Sequence, residues 1–528
     1  IIIGVVDSGV DPNHPDLNGT VSNGNAKIYQ AFDFANMVSN NTNLASGHGT
    51  ACASAAASRA NNPSGVAGVN EGVAGVAGNC RVLAIRRAGT EADYANIYLW
   101  AGGFDPDSDD DDFPDPIDPG ADVISSSIGL TSAVGSPTSG TMAAVFDTLT
   151  DDGRDGKGVL LFFSAGNNGN DNDTAFDRPW GMYNRCFSIA ASTLDNAGAN
   201  EIQAGYSNFS SQTEFCAPSH DAYVSGAPLH NPTANYGAFT ATPTSTPEGH
   251  GTVGRPTVTT TLSAVANAGG NQISVNSVAG MANGQAIMIG NPGGPNTESH
   301  LISALNNATN QITLSRNLFN NQANGAAVNV STWDYRSNFG GTSHATPLCA
   351  GTAALMLSAN PQLTWTQVRD LLRETAVKIN PGETNATGRW QDVNGNFSNS
   401  PAYDGNPFFS EFYGYGRINT AAAVREAGWD IELLTSSLNF NDVPAGDTVS
   451  RAVRFNVKSL WPASFIMTTP GAPFSALSTA ESLPASNDSS IPREVYFWVT
   501  YTGVTPGDQI TPADGFSATV TNPETEQT

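Results

Sequence analysis

Three polar residues and one amide lie in short glycine-containing segments where they could together carry out acyl transfer. Asp7 precedes Ser-Gly, His48 lies between two glycines, and Ser343 follows Gly-Gly-Thr. A serine alcohol becomes a nucleophile when a base takes its proton and an acid orients that base. We therefore expect Ser343 to attack, His48 to carry the proton and Asp7 to hold the imidazole. Asn167 offers an amide donor that, with the backbone N–H of Ser343, would stabilise an oxyanion.

The segments around these residues have patterns that would bring them together. A β-branched run at residues 1–6 predicts a buried parallel strand that ends at Asp7, and an apolar run at 159–163 ends before Ser164. Small apolar residues after Ser343 predict a buried helix, whose N-terminal end favours negative charge near the hydroxyl. Polar groups at the carboxyl ends of parallel strands lie where α/β folds place their sites.

Strand-like and helix-like segments alternate through the first part of the chain. The predicted strands are 1–6, 81–85, 122–124 and 159–163, and the predicted helices are 51–58, 94–100 and 141–149. This alternation predicts an α/β fold with a doubly wound, mostly parallel sheet.

Changes in composition divide the chain into three parts. Residues 252–332 alternate Thr, Val, Ile and Asn between glycine-rich breaks, which predicts an inserted small all-β module. After residue 428, alternating segments such as 452–457 and 495–499 predict an Ig-like β-sandwich. The predicted domains are a catalytic domain at 1–251 and 333–428, the inserted β module at 252–332, and a C-terminal sandwich at 429–528.

Charge and composition exclude some classes of function. The 528 residues include 22 basic and 48 acidic side chains, a formal net charge of −26, which argues against nucleic acid or an anionic membrane as partner. No apolar stretch is long enough to span a bilayer. The polar, lysine-poor composition favours an extracellular protein, secreted or at the cell surface, and we expect a monomer. The five cysteines lack metal-ligand spacing and permit at most two disulfides.

An acidic loop at residues 104–119 is a candidate calcium site. Asp105, Asp107 and Asp109 occupy alternate positions, the spacing at which calcium loops present oxygen ligands. So many close carboxylates repel one another unless a cation neutralises them. A solvated run of charge is the alternative, and both interpretations stay open.

Four segments of the chain resemble the signature motifs of the subtilisin-like serine proteases, the subtilases. They contain Asp7, His48, Asn167 and Ser343, and the triad residues occur in that family's order of acid, histidine and serine. The resemblance extends over residues 1–428 apart from the insert and the acidic loop. It implies a subtilisin-like fold and a serine endopeptidase that cleaves proteins or peptides.

The same resemblance implies a substrate cleft and calcium binding. An extended peptide would add as a strand to the cleft. The cleft residues would be Ser127, Ile128, Gly129, Ser164, Ala165 and Gly166. Asp16 and Asn62 are the candidates for a calcium site common in the family, and Asp173 is a further candidate ligand.

The stretch from Asn167 to Asp177 is similar in length and acidity to that of the kexin-like branch, whose members cleave after basic residues. Asp173 and Asp177 could make the substrate pocket acidic. The segment after Gly129 lacks the carboxylates that this branch uses there. A preference for basic residues and a broad or apolar preference therefore both stay open.

Two other functions compete with proteolysis. One is a binding or adhesion protein on an inactive protease scaffold, although no triad residue and no oxyanion residue is missing. The other is an esterase of the α/β-hydrolase fold. It fails because no Gly-x-Ser-x-Gly elbow surrounds Ser343 and because the order of acid, base and nucleophile differs.

Overall fold

The computed structural model describes most of the chain in separate ranges. They are 1–39, 47–59, 62–63, 70–71, 73–87, 89–106, 114–128, 138–175, 177–195, 200–220, 238–241, 258–283, 285–290, 296, 298–314, 317–330, 335–392, 394–398, 408–433, 446–459, 463–467, 474–476, 480–483, 493–502 and 518–521. The chain divides into two compact units. The first comprises Ile1–Leu355 and Thr364–Thr420, and the second comprises Met356–Leu363 and Ala421–Thr528.

A nine-stranded, mostly parallel sheet is the centre of the first unit. The strands before residue 220 are β1 (Ile2–Asp7), β2 (Ile28–Asp33), β3 (Val38–Ser39), β4 (Asn62–Pro63), β5 (Asn70–Glu71), β6 (Arg81–Arg86), β7 (Val123–Ser126), β8 (Leu160–Ser164), β9 (Phe187–Leu194), β10 (Glu201–Gln203) and β11 (Thr213–Pro218). The sheet order is β10-β9-β8-β7-β1-β6-β2-β3, and β11 also pairs with β9. The pairs β10–β9 and β2–β3 are antiparallel, whereas the other pairs in this sheet are parallel.

Burial on both faces explains why β1 and β8 have no polar side chain before their last residue. Every residue of β1 and β8 is buried. An aromatic cluster that includes Tyr98, Phe146, Phe163 and Trp180 packs on one side of the sheet. Because β1, β7 and β8 are parallel neighbours, their carboxyl ends meet at one edge.

Helices connect these strands and follow them. They are α1 (His48–Ala57), α2 (Glu91–Ala101), α3 (Gly140–Asp151), the short turn α4 (Gly153–Gly156), α5 (Asn172–Ala175), α6 (Thr342–Ala359), α7 (Trp365–Thr375) and α8 (Thr420–Ala427). A 3₁₀ turn spans Pro179–Met182. Helix α7 begins with a capping box in which Thr364 and Gln367 satisfy each other's backbone N–H. Among the described residues, no helix is long and apolar enough to cross a membrane.

The segment between β11 and α6 is rich in short strands. They are β12 (Ala238–Ala241), β13 (Val258–Thr261), β14 (Gln272–Ser274), β15 (Ala286–Ile289), β16 (Glu298–Asn306), β17 (Gln311–Leu314), β18 (Ala327–Val330) and β19 (Tyr335–Phe339). Strands β13 to β18 form a six-stranded sheet with the order β13-β18-β15-β16-β17-β14, around an apolar cluster of its own. Strand β19 pairs with β12 and leads into α6.

The second unit contains antiparallel strands. They are β20 (Trp429–Leu433), β21 (Thr448–Ser459), β22 (Ala463–Met467), β23 (Phe474–Ala476), β24 (Ala480–Leu483), β25 (Arg493–Thr502) and β26 (Ala518–Thr521). They form one sheet with the order β20-β21-β25-β23 and another with the order β24-β22-β26. The predicted alternation at 452–457 and 495–499 corresponds to the long β21–β25 pair.

The structure confirms a mixed sheet of mostly parallel strands with helices. The division into three domains stays a prediction. The five cysteines are all buried and free, so neither of the two permitted disulfides forms.

Candidate active site

Asp7 and His48 form a short contact at the carboxyl edge of the sheet. Asp7 is the last residue of β1, and His48 is the first residue of α1. The His48 Nδ1 lies 2.8 Å from Asp7 Oδ1 and 3.1 Å from Oδ2. The Ser8 backbone N–H donates to Asp7 Oδ1 at 2.7 Å, which holds the carboxylate in place. Nδ1 therefore faces the acid, and Nε2 is left to exchange a proton with a reactant.

Close backbone packing explains the glycine after His48. A Cβ atom at Gly49 would lie 2.3 Å from the Gly9 carbonyl oxygen and 3.0 Å from Asp7 Cβ. Only a residue without a side chain lets the first turn of α1 approach β1 this closely. The Gly49 N–H also donates to Ser8 Oγ at 3.0 Å.

The two side chains shift each other's protonation in opposite directions. Burial lowers the pKa of His48, but the charge and hydrogen bond of Asp7, together with Cys52, raise this pKa well above its usual range. Burial raises the pKa of Asp7, but His48 and the Ser8 N–H bring this pKa below its usual value. The pair therefore favours a carboxylate beside an imidazolium.

Ser343 lies in the first turn of α6, close to this pair. Its backbone carbonyl accepts a hydrogen bond from Ser127 Oγ at 3.1 Å. The Cys52 sulfur contacts both Ser343 and His48. It lies 3.6 Å from the Ser343 carbonyl oxygen and 3.7 Å from His48 Nδ1. Burial raises the pKa of Cys52, which keeps it a thiol.

The Asn167 amide is oriented by the residue before Ser343. Thr342 donates to Asn167 Oδ1 twice, from its backbone N–H at 2.8 Å and its hydroxyl at 2.9 Å. The Thr342 hydroxyl in turn accepts the Gly166 N–H at 3.1 Å. Because Oδ1 is occupied, the amide presents its N–H₂ group as a donor.

An aromatic ring that the sequence analysis did not single out packs between two histidines. The Phe339 ring is buried, with its centroid 5.5 Å from the His48 ring and 6.0 Å from the His344 ring, both near perpendicular. Burial lowers the pKa of His344 to about 4, so this neighbour of Ser343 is neutral at physiological pH. The signal in the sequence was a single aromatic residue before two glycines, which is too weak to interpret alone.

The predicted cleft residues differ in their surroundings. Ile128 and Ser164 line a pocket, and Ser127 contacts Ser343. Ala165 is buried and its carbonyl accepts from Asn172 Nδ2 at 2.8 Å. Gly166 contacts Thr342, as described above, whereas Gly129 lies outside the described residues.

The two aspartates considered for a basic-residue pocket are engaged elsewhere. The Asp177 carboxylate accepts hydrogen bonds from three amides, those of Asn168, Asn170 and Asn208. Asp173 accepts from the backbone N–H and hydroxyl of Ser211, at 2.7 and 3.0 Å. Neither residue lines the pocket that holds Ile128 and Ser164.

Among the described residues, no three carboxylates have oxygen atoms within 4.8 Å of one another. In this part of the chain, the one trio of metal-capable side chains with ligand atoms within 4.8 Å of one another is Asp7, His48 and Cys52. An imidazole and a thiol are not ligands that calcium prefers. Of the predicted calcium ligands, Asp16 is buried and accepts a hydrogen bond from the Val73 N–H. Asp105 is exposed, and Asp173 accepts a hydrogen bond from Ser211. Three predicted ligands lie outside the described residues: Asp107, Asp109 and the side chain of Asn62.

This geometry agrees with the comparison to known families. The profile of the Subtilase family matches residues 1–416, and the chain therefore belongs to the subtilases. The predicted family resemblance is confirmed.

Several curated relatives are proteases. A calcium-dependent protease from Nostoc sp. is 26% identical over 449 residues, which cover 81% of this chain and 46% of that protein. Thermitase from Thermoactinomyces vulgaris is 32% identical over 252 residues, covering 48% of this chain and 73% of thermitase. Kexin from Saccharomyces cerevisiae is 48% identical over 56 residues, covering 11% of this chain and 6% of kexin. The chain thus spans less than half the length of the calcium-dependent protease.

Proposed function

We propose that this chain is a serine endopeptidase that hydrolyses peptide bonds in protein or peptide substrates. The observation that carries the proposal is the 2.8 Å contact between Asp7 and His48 beside the helix start that bears Ser343. Family membership and the relatives named as proteases support it.

In the proposed mechanism, the Ser343 hydroxyl attacks the substrate carbonyl while His48 Nε2 takes its proton. His48 then gives that proton to the leaving amine, and water hydrolyses the acyl-enzyme by the same route in reverse. Asp7 holds the tautomer with Nδ1–H and stabilises the imidazolium. The contact between nucleophile and base is often long without substrate and shortens in the substrate complex, as this mechanism requires for Ser343.

Asn167 would stabilise the oxyanion that forms during attack. Its Oδ1 accepts two hydrogen bonds from Thr342, so its N–H₂ donors are oriented before substrate arrives. Such preorganised donors act without reorganisation cost at the moment of reaction. The backbone N–H of Ser343, in the first turn of α6, would be the second donor.

Hydrolysis by active-site variants tests the proposal. Ser343→Ala should abolish cleavage of a fluorogenic peptide while the far-ultraviolet circular dichroism stays unchanged. Asn167→Leu should lower kcat by about 10² to 10³. Full activity in the Ser343→Ala variant would contradict the assignment of the nucleophile.

We further propose that calcium stabilises the protein through the acidic loop at 104–119. The support is the alternating aspartates of that loop and the calcium-dependent protease among the relatives. No step of the proposed hydrolysis involves the ion.

The remaining proposals concern location and architecture. We propose a secreted or cell-surface monomer whose catalytic domain comprises 1–251 and 333–428. The module at 252–332 would be an appendage, because strands β13 to β18 pair with one another around their own apolar cluster. Residues 429–528 would form an Ig-like sandwich, for which the two antiparallel sheets of the second unit give support.

A further inference from the structure

Asn208 contacts both residues that flank Asn167, the proposed oxyanion donor. It lies between β10 and β11 and is fully buried. Its backbone N–H donates to the Gly166 carbonyl at 3.0 Å, and its side-chain Oδ1 accepts the Asn168 backbone N–H at 2.9 Å. The chain is therefore bound to Asn208 immediately before and immediately after Asn167.

The same amide oxygen holds the continuation of this segment. Asn208 Oδ1 accepts a second backbone N–H, that of Asn170, at 2.9 Å. The Asn170 carbonyl in turn accepts the Phe209 N–H at 3.1 Å. These hydrogen bonds leave the segment that bears Asn167 little freedom to shift relative to residues 208 and 209.

The absence of a side chain at Gly166 lets the Asn208 amide approach this closely. A Cβ atom at Gly166 would lie 2.4 Å from Asn208 Nδ2 and 3.1 Å from Asn208 Cγ. Gly166 also has a φ of 108°, a conformation that glycine adopts readily and other residues rarely adopt. The backbone directly before Asn167 therefore packs on the Asn208 side chain.

The orientation of the Asn208 amide is itself fixed by buried partners. Its Nδ2 donates to Asn172 Oδ1 at 3.1 Å and to Asp177 Oδ2 at 3.3 Å, and both of these residues are buried. Burial alone would raise the pKa of Asp177, but the amides of Asn168, Asn170 and Asn208 bring this pKa below its usual value. With two bonds at Oδ1 and two at Nδ2, the Asn208 amide uses all four of its hydrogen-bonding positions. A buried network that is fully satisfied in this way is rigid.

We propose that Asn208 is a positioning residue that acts through Asn167, by fixing the backbone from which the oxyanion donor extends. The inference rests on the proposed endopeptidase activity. Thr342 orients the Asn167 side chain through Oδ1, whereas Asn208 fixes the main chain on either side of it. Both are needed because a donor stabilises the oxyanion without reorganisation only if its position is set before the reaction.

A double-mutant cycle tests the proposal with the full chain and a fluorogenic peptide. We expect Asn208→Ala to lower kcat about tenfold or more, since a small displacement of a catalytic group can cost about 10²-fold in rate. KM should change less than kcat, because the oxyanion forms only during the reaction. In the Asn167→Leu background the donor is already absent, so Asn208→Ala should lower kcat less than about twofold further. Equal factors in the two backgrounds would overturn the proposal.

Ser210→Ala is the matched control for a merely structural effect. Ser210 is also buried in the segment between β10 and β11, but its hydroxyl contacts Gln212 and Thr213 rather than the segment that bears Asn167. Loss of a buried hydrogen bond should lower the melting temperature of this variant, while kcat should fall less than about threefold in either background. A loss of kcat in Ser210→Ala that matched Asn208→Ala and also vanished in Asn167→Leu would contradict a specific role for Asn208.

Amide hydrogen exchange in the folded wild-type protein tests the contact without any variant, and it decides the proposal if Asn208→Ala does not fold. Asn168 is exposed, so its backbone N–H would exchange fast unless Asn208 Oδ1 holds it. We expect the N–H groups of Asn168 and Asn170 to exchange at least about a hundredfold more slowly than a free amide. Fast exchange at both positions would overturn the proposal.

The Asn167→Leu variant separates this proposal from the proposed function. Wild-type kcat in Asn167→Leu refutes the oxyanion assignment, and the role of Asn208 with it. A loss of kcat in Asn167→Leu, together with an equal loss from Asn208→Ala in both backgrounds, refutes the positioning role alone and leaves the endopeptidase proposal intact.

Discussion

The contacts of His48 set the pH range in which its imidazole is neutral and can act as the proposed base. The imidazole must be neutral to take a proton from Ser343, yet the Asp7 carboxylate at 2.8 Å favours its charged form. Neighbouring titrations do not obscure this equilibrium, because His344 has a pKa of about 4 and Cys52 has a raised pKa. The charge state of His48 should therefore govern activity on the acid side.

The pH dependence of kcat/KM follows from this contact. Because the folded-state pKa of His48 is raised, the neutral base is lost as the pH falls through a value above the usual 6.5. We expect activity to rise with pH through a midpoint above 6.5. A midpoint at or below 6.5 would contradict the electrostatic account.

Removing the Asp7 carboxylate tests the same electrostatic effect on His48 in a second way. In Asp7→Asn the burial of His48 is no longer opposed by a negative charge, so its pKa should fall. Titration of the His48 ring by NMR, which does not depend on activity, should show this decrease. An unchanged titration would mean that Asp7 does not set the charge of His48.

At the scale of elements, the site depends on where helices and strands begin and end. Asp7 ends β1, Ser164 ends β8, His48 begins α1 and Ser343 lies in the first turn of α6. Helix α1 can start beside β1 only because Gly49 has no side chain. The position of the His48 ring therefore depends on how closely α1 approaches β1.

Adding a methyl group at that approach should move His48. Gly49→Ala would place Cβ 2.3 Å from the Gly9 carbonyl oxygen, and overpacking of this kind costs about 1 to 3 kcal/mol. We expect a lower melting temperature and a large loss of kcat/KM.

Gly140 provides the control for this substitution. It begins α3, and a Cβ atom there would have no neighbour within 4 Å. Gly140→Ala should be neutral or stabilise the fold by about 0.4 to 1 kcal/mol. Equal effects of the two substitutions would contradict the packing explanation for Gly49.

Local patterns made these elements predictable. The β-branched run before Asp7 became β1, and the apolar run before Ser164 became β8. Helix starts were less well predicted, since α2 begins at Glu91, three residues before the apolar pattern that indicated it. Propensity describes the interior of a helix better than its ends.

Contacts between distant segments could not be predicted in the same way. The packing of Phe339 on His48 and of Arg178 on Gly166 depends on how the sheet edge folds, not on spacing in the sequence. The two aspartates that suggested a basic-residue pocket point to amides and to Ser211 for the same reason. Motifs identified the chemistry, but only the structure identified what surrounds it.

At the scale of the whole molecule, the formal net charge of −26 gives bound cations a way to stabilise the fold. Carboxylates that repel one another destabilise a fold unless ions neutralise them. If calcium binds the native protein selectively, it stabilises the fold by mass action.

Removal of calcium tests this proposal. Dialysis against EDTA should lower the melting temperature by a few degrees or more, and added Ca²⁺ should restore it, whereas equimolar Mg²⁺ should restore it less. The readout is thermal unfolding, so it does not depend on catalysis. An unchanged melting temperature would leave the acidic loop as a solvated run of charge.

The central claim is that Asp7, His48 and Ser343 act as one catalytic unit, and covalent labelling tests it most directly. A fluorophosphonate probe is reacted with the folded, calcium-supplemented protein, and the modified peptide is identified by mass spectrometry. We predict modification at Ser343 in the wild-type protein and its loss in His48→Ala. Absence of labelling in the folded wild-type protein, or equal labelling in His48→Ala, would contradict the claim.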